Sequence, residues 1–248
     1  MNDKERKANT RRRTVLLIAA AVLVPGLIAL GVSVWDDRKF YIVSILIVLV
    51  SMLPFAMRFE KRRLQPRELV LLSAMIALGV AGRAAFYMVP QFKPIAAITI
   101  ITGIAFGAES GFVAGAMIAF VSNFIFGQGP WTPWQMEALG LLGLLAGLFF
   151  YNREGKMPML APLLAFGFLS VMLVYGPIVD TSTVFTVYDK PAWGLLLSAF
   201  AAGAIPNLVH AAATVVFLLL LSRPLLKKLD RVRVKYGLLD QDLQESEN

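Results

Sequence analysis

Long apolar runs bracketed by clusters of lysine and arginine constrain this 248-residue chain more than any other feature. At roughly 20 apolar residues per bilayer crossing, the runs fall at about 14–35, 40–57, 68–89, 94–108, 110–127, 133–151, 159–178 and 192–222. Lys4, Arg6, Lys7, Arg11, Arg12 and Arg13 precede the first run, and Arg58, Lys61, Arg62, Arg63 and Arg67 fill one short connection. Arg223, Lys227, Lys228, Arg231, Arg233 and Lys235 follow the last. Basic residues flanking apolar segments follow the positive-inside rule. An even number of crossings places all three clusters, and both termini, in the cytoplasm; an odd number would strand one cluster outside. The first run is about twice the length of a signal-peptide core and no small-residue cleavage site follows, so it reads as a retained helix.

The net charge of +8 therefore belongs to membrane orientation, and nucleic acid is not an expected partner, because no basic face interleaved with stacking aromatics is visible. A hydrophobic share of 58% and a charged share of 16% depart from the roughly 45–50% and 25% of soluble domains, and the mean hydropathy is +0.69. With no cysteine and a single histidine, His210, disulfides, thiolate chemistry and multi-histidine metal sites are excluded. There is no phosphate-binding Gly-rich loop ending in Lys-Ser/Thr, no nucleophile elbow, no His-Glu-x-x-His helix and no facing pair of carboxylates. The expectation is a non-enzymatic membrane protein without metal or cofactor.

Its organisation reads as an appendage of two helices over residues 1–66, a six-helix core over 67–225 and a polar tail over 226–248. The fourth run is short; Pro94 opens it and Gly107 closes it, which suggests a helix lying inside the protein. Small residues recur at every fourth position, as Ser73, Ala77, Ala81 and Ala85; Gly111, Gly115 and Ala119; Gly143 and Gly147; and Ala199, Gly203, Asn207 and Ala211. Such stripes let helix backbones approach closely in lipid. They serve internal packing or docking to another membrane subunit, and the Ser73–Ala85 stripe is the docking candidate.

Polar residues inside the runs are few, and each is costly to bury. They are Arg83, Asn123, Glu137, Asn207 and His210. Arg83 and Glu137 either neutralise one another or meet a ligand, and His210 reads as a satisfied buried hydrogen bond. The densest constellation runs from Asn123 to Met136. Gly127 and Gly129 offer unusual backbone angles, Pro130 stiffens the turn, Thr132 is the expected N-cap and Pro133 the first helical residue. This rigid hairpin would fix Trp131, Trp134, Gln128, Gln135 and Asn123 at the outer mouth, as an aromatic belt or as a flat-walled pocket with amide donors and acceptors. The paired glutamines and second proline favour the pocket.

At Arg67-Glu-Leu-Val-Leu-Leu, Ala81-Gly-Arg-Ala-Ala-Phe86, Pro90-Gln-Phe-Lys-Pro94, Gly107-Ala-Glu-Ser-Gly-Phe112 and Ser122 to Met136, the chain resembles the substrate-binding S component of energy-coupling factor (ECF) vitamin transporters. The resemblance covers about 67–225. It implies an all-α polytopic protein of the bacterial plasma membrane, a six-helix core here preceded by two extra helices. It also implies capture of a vitamin from outside, with cobalamin or a related corrinoid the leading candidate for the subgroup. Implied partners are a membrane coupling subunit and two cytoplasmic ATPases. The family's small-residue stripe on the first core helix maps onto Ser73, Ala77, Ala81 and Ala85, and its closing loop onto Gln91, Phe92 and Lys93. The expected substrate site is thus Arg83, Gln91, Lys93, Asn123, Gln128, Trp131, Trp134, Gln135 and Glu137. A self-sufficient secondary transporter or channel for a small solute is the alternative.

Overall fold

The computed structural model describes residues 66–151, 157–187 and 193–235, together with the isolated positions 46, 49 and 50. Apart from those three positions, the expected two-helix appendage with its basic connection up to residue 65 lies outside the described residues, as does the tail beyond 235. Within them the fold is all-helical: α1 Pro66–Ala85, α2 Ile95–Phe106, α3 Ala108–Phe126, α4 Thr132–Phe150, α5 Leu160–Val187 and α6 Trp193–Lys235. All but α2 are long and apolar enough to cross a bilayer.

The sequence of α2 explains its exception. Its 12 residues reach only about 18 Å at 1.5 Å per residue, short of a ~30 Å hydrocarbon core. Every one of the 12 is buried, so α2 is the axle of the bundle and its neighbours do the crossing. Gly107, at φ 92°, turns the chain directly from α2 into α3, a conformation open to glycine and strained for other residues.

The glycine stripes of α3 and α4 are internal. A Cβ added to Gly143 would lie 2.5 Å from the Gly111 carbonyl carbon and 3.0 Å from its Cα; one added to Gly115 would lie 2.5 Å from the Leu139 carbonyl carbon. From α2, Gly103 packs on the same Gly143 backbone. Three backbones meet here with no side chain between them, which is how helices in lipid gain dispersion energy without a hydrophobic driving force. In α1, Leu72, Met75 and Gly79 face inward, with Gly79 seated on Ile118 and Gly82 on Pro94. Ser73, Ala77, Ala81 and Ala85 occupy the opposite face and are all exposed.

Two helix ends differ from expectation. The run expected to stop at 178 continues to Val187, and the last helix continues from 222 to Lys235. Asp180, expected in a polar loop, is helical and accepts a hydrogen bond from Asn207 Nδ2 at 2.8 Å. The hydroxyls of Ser182 and Thr186 bond to helix carbonyls three and four residues back, at 2.6 and 2.7 Å. Polar side chains that satisfy themselves on the helix do not end it. Within α5, Val171–Tyr175 forms a π-helical turn, which rotates the face that follows.

Candidate functional site

Loop 86–94 and the turn 127–131 lie at the same end of the bundle, termed here the hairpin end. The last turn of α1 delivers Arg83 inward. Its Nη1 donates to Ser122 Oγ at 2.5 Å and to Asn123 Oδ1 at 2.7 Å. Asn123, one turn before the end of α3, is 1% exposed, and its Nδ2 donates to Thr132 Oγ1 and Gln135 Oε1, each at 3.0 Å. The Thr132 hydroxyl donates to Gln128 Oε1 at 2.8 Å and accepts the Gly129 N–H at 3.3 Å. Gln128 Nε2 donates to the Phe120 carbonyl at 3.0 Å. One polar chain thus ties α1, α3, the turn and α4 together, and Asn123 is at its centre.

Local details of the turn differ from the sequence reading. Gly127 takes φ 99°, but Gly129 is not at positive φ. The Trp131 ring lies against Gly129, with Cε2 2.5 Å from where a Cβ would stand, so a side chain at 129 would have to displace the ring. Helix α4 starts at Thr132 itself, with Trp131 as its N-cap and Pro133 as the second residue. The Thr132 hydroxyl is drawn instead into the Gln128–Asn123 chain, so it does not cap the helix.

The two tryptophans part company. Trp131 is 43% exposed. Trp134 is buried and stacks on Phe185 of α5, with centroids 5.7 Å apart, and its Nε1–H has no partner. Glu137, on α4 beyond Trp134, is 1% exposed with neither carboxylate oxygen hydrogen-bonded. It does not pair with Arg83, whose bonds run to Ser122 and Asn123.

Loop 86–94 is tightly wound. Phe92 N–H bonds to the Pro90 carbonyl at 2.7 Å and Lys93 N–H to the Gln91 carbonyl at 3.1 Å. Gln91 takes φ 56°, uncommon for a residue with a side chain. The Gln91 side chain is exposed; its backbone carbonyl is what reaches into the bundle, 3.0 Å from His210 Nδ1. A carbonyl only accepts, so Nδ1 carries the proton and Nε2 is a bare acceptor when the ring is neutral. That Nε2 has no partner. The His210 ring stacks on Tyr175 at 4.9 Å, at the end of the π turn. Phe86, Phe92 and Phe217 clasp the loop to α6, with centroid separations from 5.1 to 6.2 Å. The expected buried bond of His210 is therefore present, with a loop backbone as its acceptor.

Lys93 Nζ donates to the Val89 carbonyl at 3.2 Å. It lies 5.6 Å from the centroid of the Phe126 ring, and the Arg83 guanidinium lies 4.4 Å from the same centroid. Burial, and secondarily the charge of Arg83, hold the Lys93 ammonium pKa below its ordinary value. Thr132 was singled out only as an N-cap, and Ser122, Phe126 and Tyr175 were given no role of their own. Ser122 and Phe126 sat inside the quoted hairpin stretch, whereas Tyr175 looked like an ordinary apolar helix residue.

The polar hub thus stands at one end of a glycine-packed bundle of the six described helices, with a short buried helix at its axis. Residues 63–223 match the model of the family described as the ECF-type riboflavin transporter, S component. The chain belongs to that family. It is 27% identical over 154 residues to the folate transporter FolT of Streptococcus mutans, covering 58% of this chain and 79% of that protein. It is also 31% identical over 99 residues to a UPF0397 protein of Vibrio atlanticus, covering 34% of this chain and 54% of that one. No solved structure matches the chain significantly. The protein is accordingly a multi-pass membrane S component of an ECF vitamin transporter, not an enzyme, with a vitamin substrate and ECF-module partners. The vitamins in these descriptions are riboflavin and folate; cobalamin is not among them.

Proposed function

We propose that this S component captures its vitamin at the hairpin end, facing outward with both termini in the cytoplasm, and hands it to a coupling subunit docked on α1. The observation that carries the reading is a set of buried polar groups without hydrogen-bond partners among the described residues, on the helix stretches next to loop 86–94 and the turn or in contact with that loop: Arg83 Nε, Thr99 Oγ1, Trp134 Nε1, both Glu137 oxygens and His210 Nε2. Ser222 Oγ and Asp230 Oδ1, further along α6, are also without partners and stand apart from this group. Buried polar groups left unpaired cost free energy, and a bound heteroaromatic vitamin supplies complementary donors and acceptors between aromatic walls such as Trp134 and Tyr175. Asn123, Gln128 and Gln135 then hold the wall in shape, since their amides already serve one another. Trp131 lies at the rim, and Gln91 and Lys93 belong to the closing loop.

The relatives favour a riboflavin- or folate-like ring over the corrinoid suggested by the sequence resemblance. Equilibrium binding of riboflavin, folate and cobalamin to the purified full chain tests the reading; submicromolar binding of one vitamin is expected, and no binding of any would refute it. The exposed stripe Ser73, Ala77, Ala81 and Ala85 is the proposed docking face, flat enough for a second helix to approach closely. Ala81→Leu is expected to stop copurification of the coupling subunit and ATPases while leaving vitamin binding intact.

A further inference from the structure

We propose that the ligand of this site bears a negative charge, a carboxylate or a phosphate, received by Arg83 and Lys93 beside the Phe126 ring. The inference rests on the vitamin-capture reading above and narrows its substrate class. Two cations share one aromatic ring here, with Arg83 and Lys93 at 4.4 and 5.6 Å from the Phe126 centroid. Among the described residues neither is paired with a carboxylate: Arg83 is held by neutral oxygens of Ser122 and Asn123, and Lys93 by the Val89 carbonyl. The acids of neighbouring helices do not supply the missing charge. Asp180 is engaged by Asn207, and neither Glu137 oxygen is hydrogen-bonded to either cation.

Arg83 also presents a particular edge. Both its hydrogen bonds leave from Nη1, while Nε is buried and without a partner. The Nε–Nη2 edge of a guanidinium is a two-pronged donor matched to the two oxygens of a carboxylate or phosphate. The group is not turned toward lipid headgroups, since the oxygens that orient it belong to Ser122 and Asn123, both almost fully buried. Holding two like charges close together without a counter-ion is unfavourable. Burial first, and the charge of Arg83 second, already lower the Lys93 pKa. An arriving anion relieves both cations at once.

Matched pairs of probes test this on the purified full chain in an uncharged maltoside detergent, which removes headgroup phosphate as a source of the anion. Folate is compared with its bis-amide for the carboxylate, and riboflavin with riboflavin 5′-phosphate for the phosphate. In at least one pair the anionic member is expected to bind about tenfold tighter or more, the worth of one charge-assisted hydrogen bond. That preference is expected to weaken with salt. Lys93→Gln, outside the polar chain, is expected to weaken binding of the anionic member more than that of the neutral one and so cut the preference; Arg83→Gln is expected to abolish it. Equal binding of the neutral and anionic members, or equal loss of both in Lys93→Gln, would overturn the inference and leave vitamin capture standing. Failure of riboflavin, folate and cobalamin alike to bind would overturn both.

Discussion

Asn123→Leu keeps the branched four-atom outline of asparagine, in a bulkier side chain, but removes three hydrogen bonds, those to Arg83, Thr132 and Gln135. In a water-soluble protein a bond to a charged group is worth about 1.5–3 kcal/mol and a neutral one about 0.5–1.5 kcal/mol, for a total of roughly 2.5–6 kcal/mol. In a membrane the unfolded helices find other partners, and measured pairs average only about 0.6 kcal/mol. Thr132 keeps Gln128 as a partner and loses least, whereas Arg83 keeps only Ser122. The expected loss is therefore about 2 kcal/mol, below the soluble range. Reversible unfolding in mixed micelles by increasing fractions of sodium dodecyl sulfate measures it. A double-mutant cycle with Arg83→Met should return a coupling of about 1 kcal/mol, because the charged bond dominates. A loss below about 0.5 kcal/mol, or no coupling to Arg83, would refute the claim that Asn123 is the hub.

Gly143→Ala should destabilise the bundle by roughly 1–3 kcal/mol through overpacking against the Gly111 backbone, while Gly194→Ala, with nothing within 4 Å, should be neutral or slightly stabilising in the same unfolding assay. His210→Phe retains a ring against Tyr175 but loses the bond to the Gln91 carbonyl; amide hydrogen exchange across 91–93 should accelerate about 2- to 10-fold, and unchanged protection would remove His210 as the loop's anchor. Because the folded pKa of Lys93 lies below its ordinary 10.5, the unfolded chain binds more protons between the two values. Stability should accordingly rise with pH across that window, and Lys93→Met should lose that rise.

The helices were legible because the features that define them are local: apolar length, a proline before α2, a glycine after it. The α5 end at 187 was not, because Asp180 and the α5 hydroxyls find partners on the same or the next helix, information that a run of polar letters does not carry. Asn123, Gln128 and Gln135 were rightly seen as one group near the turn, but they consume each other's hydrogen-bonding capacity. Sequence order could not separate Trp134 from Trp131, three residues apart, since one faces α5 and the other lies across Gly129. Charge alone left two roles open for Arg83 and Glu137, pairing with each other or meeting a ligand. Ser122 and Asn123 reach the guanidinium first, and Glu137 is left on α4.

The contact between His210 and loop 86–94 uses only the backbone of position 91. The chemical identity of that side chain is thus free to drift, provided the residue accepts φ 56°; asparagine or glycine should serve as well as glutamine, and a β-branched residue poorly. Among relatives of this protein, a column of changing letters at that position would hide an unchanging anchor, and the partner to follow through evolution is the histidine.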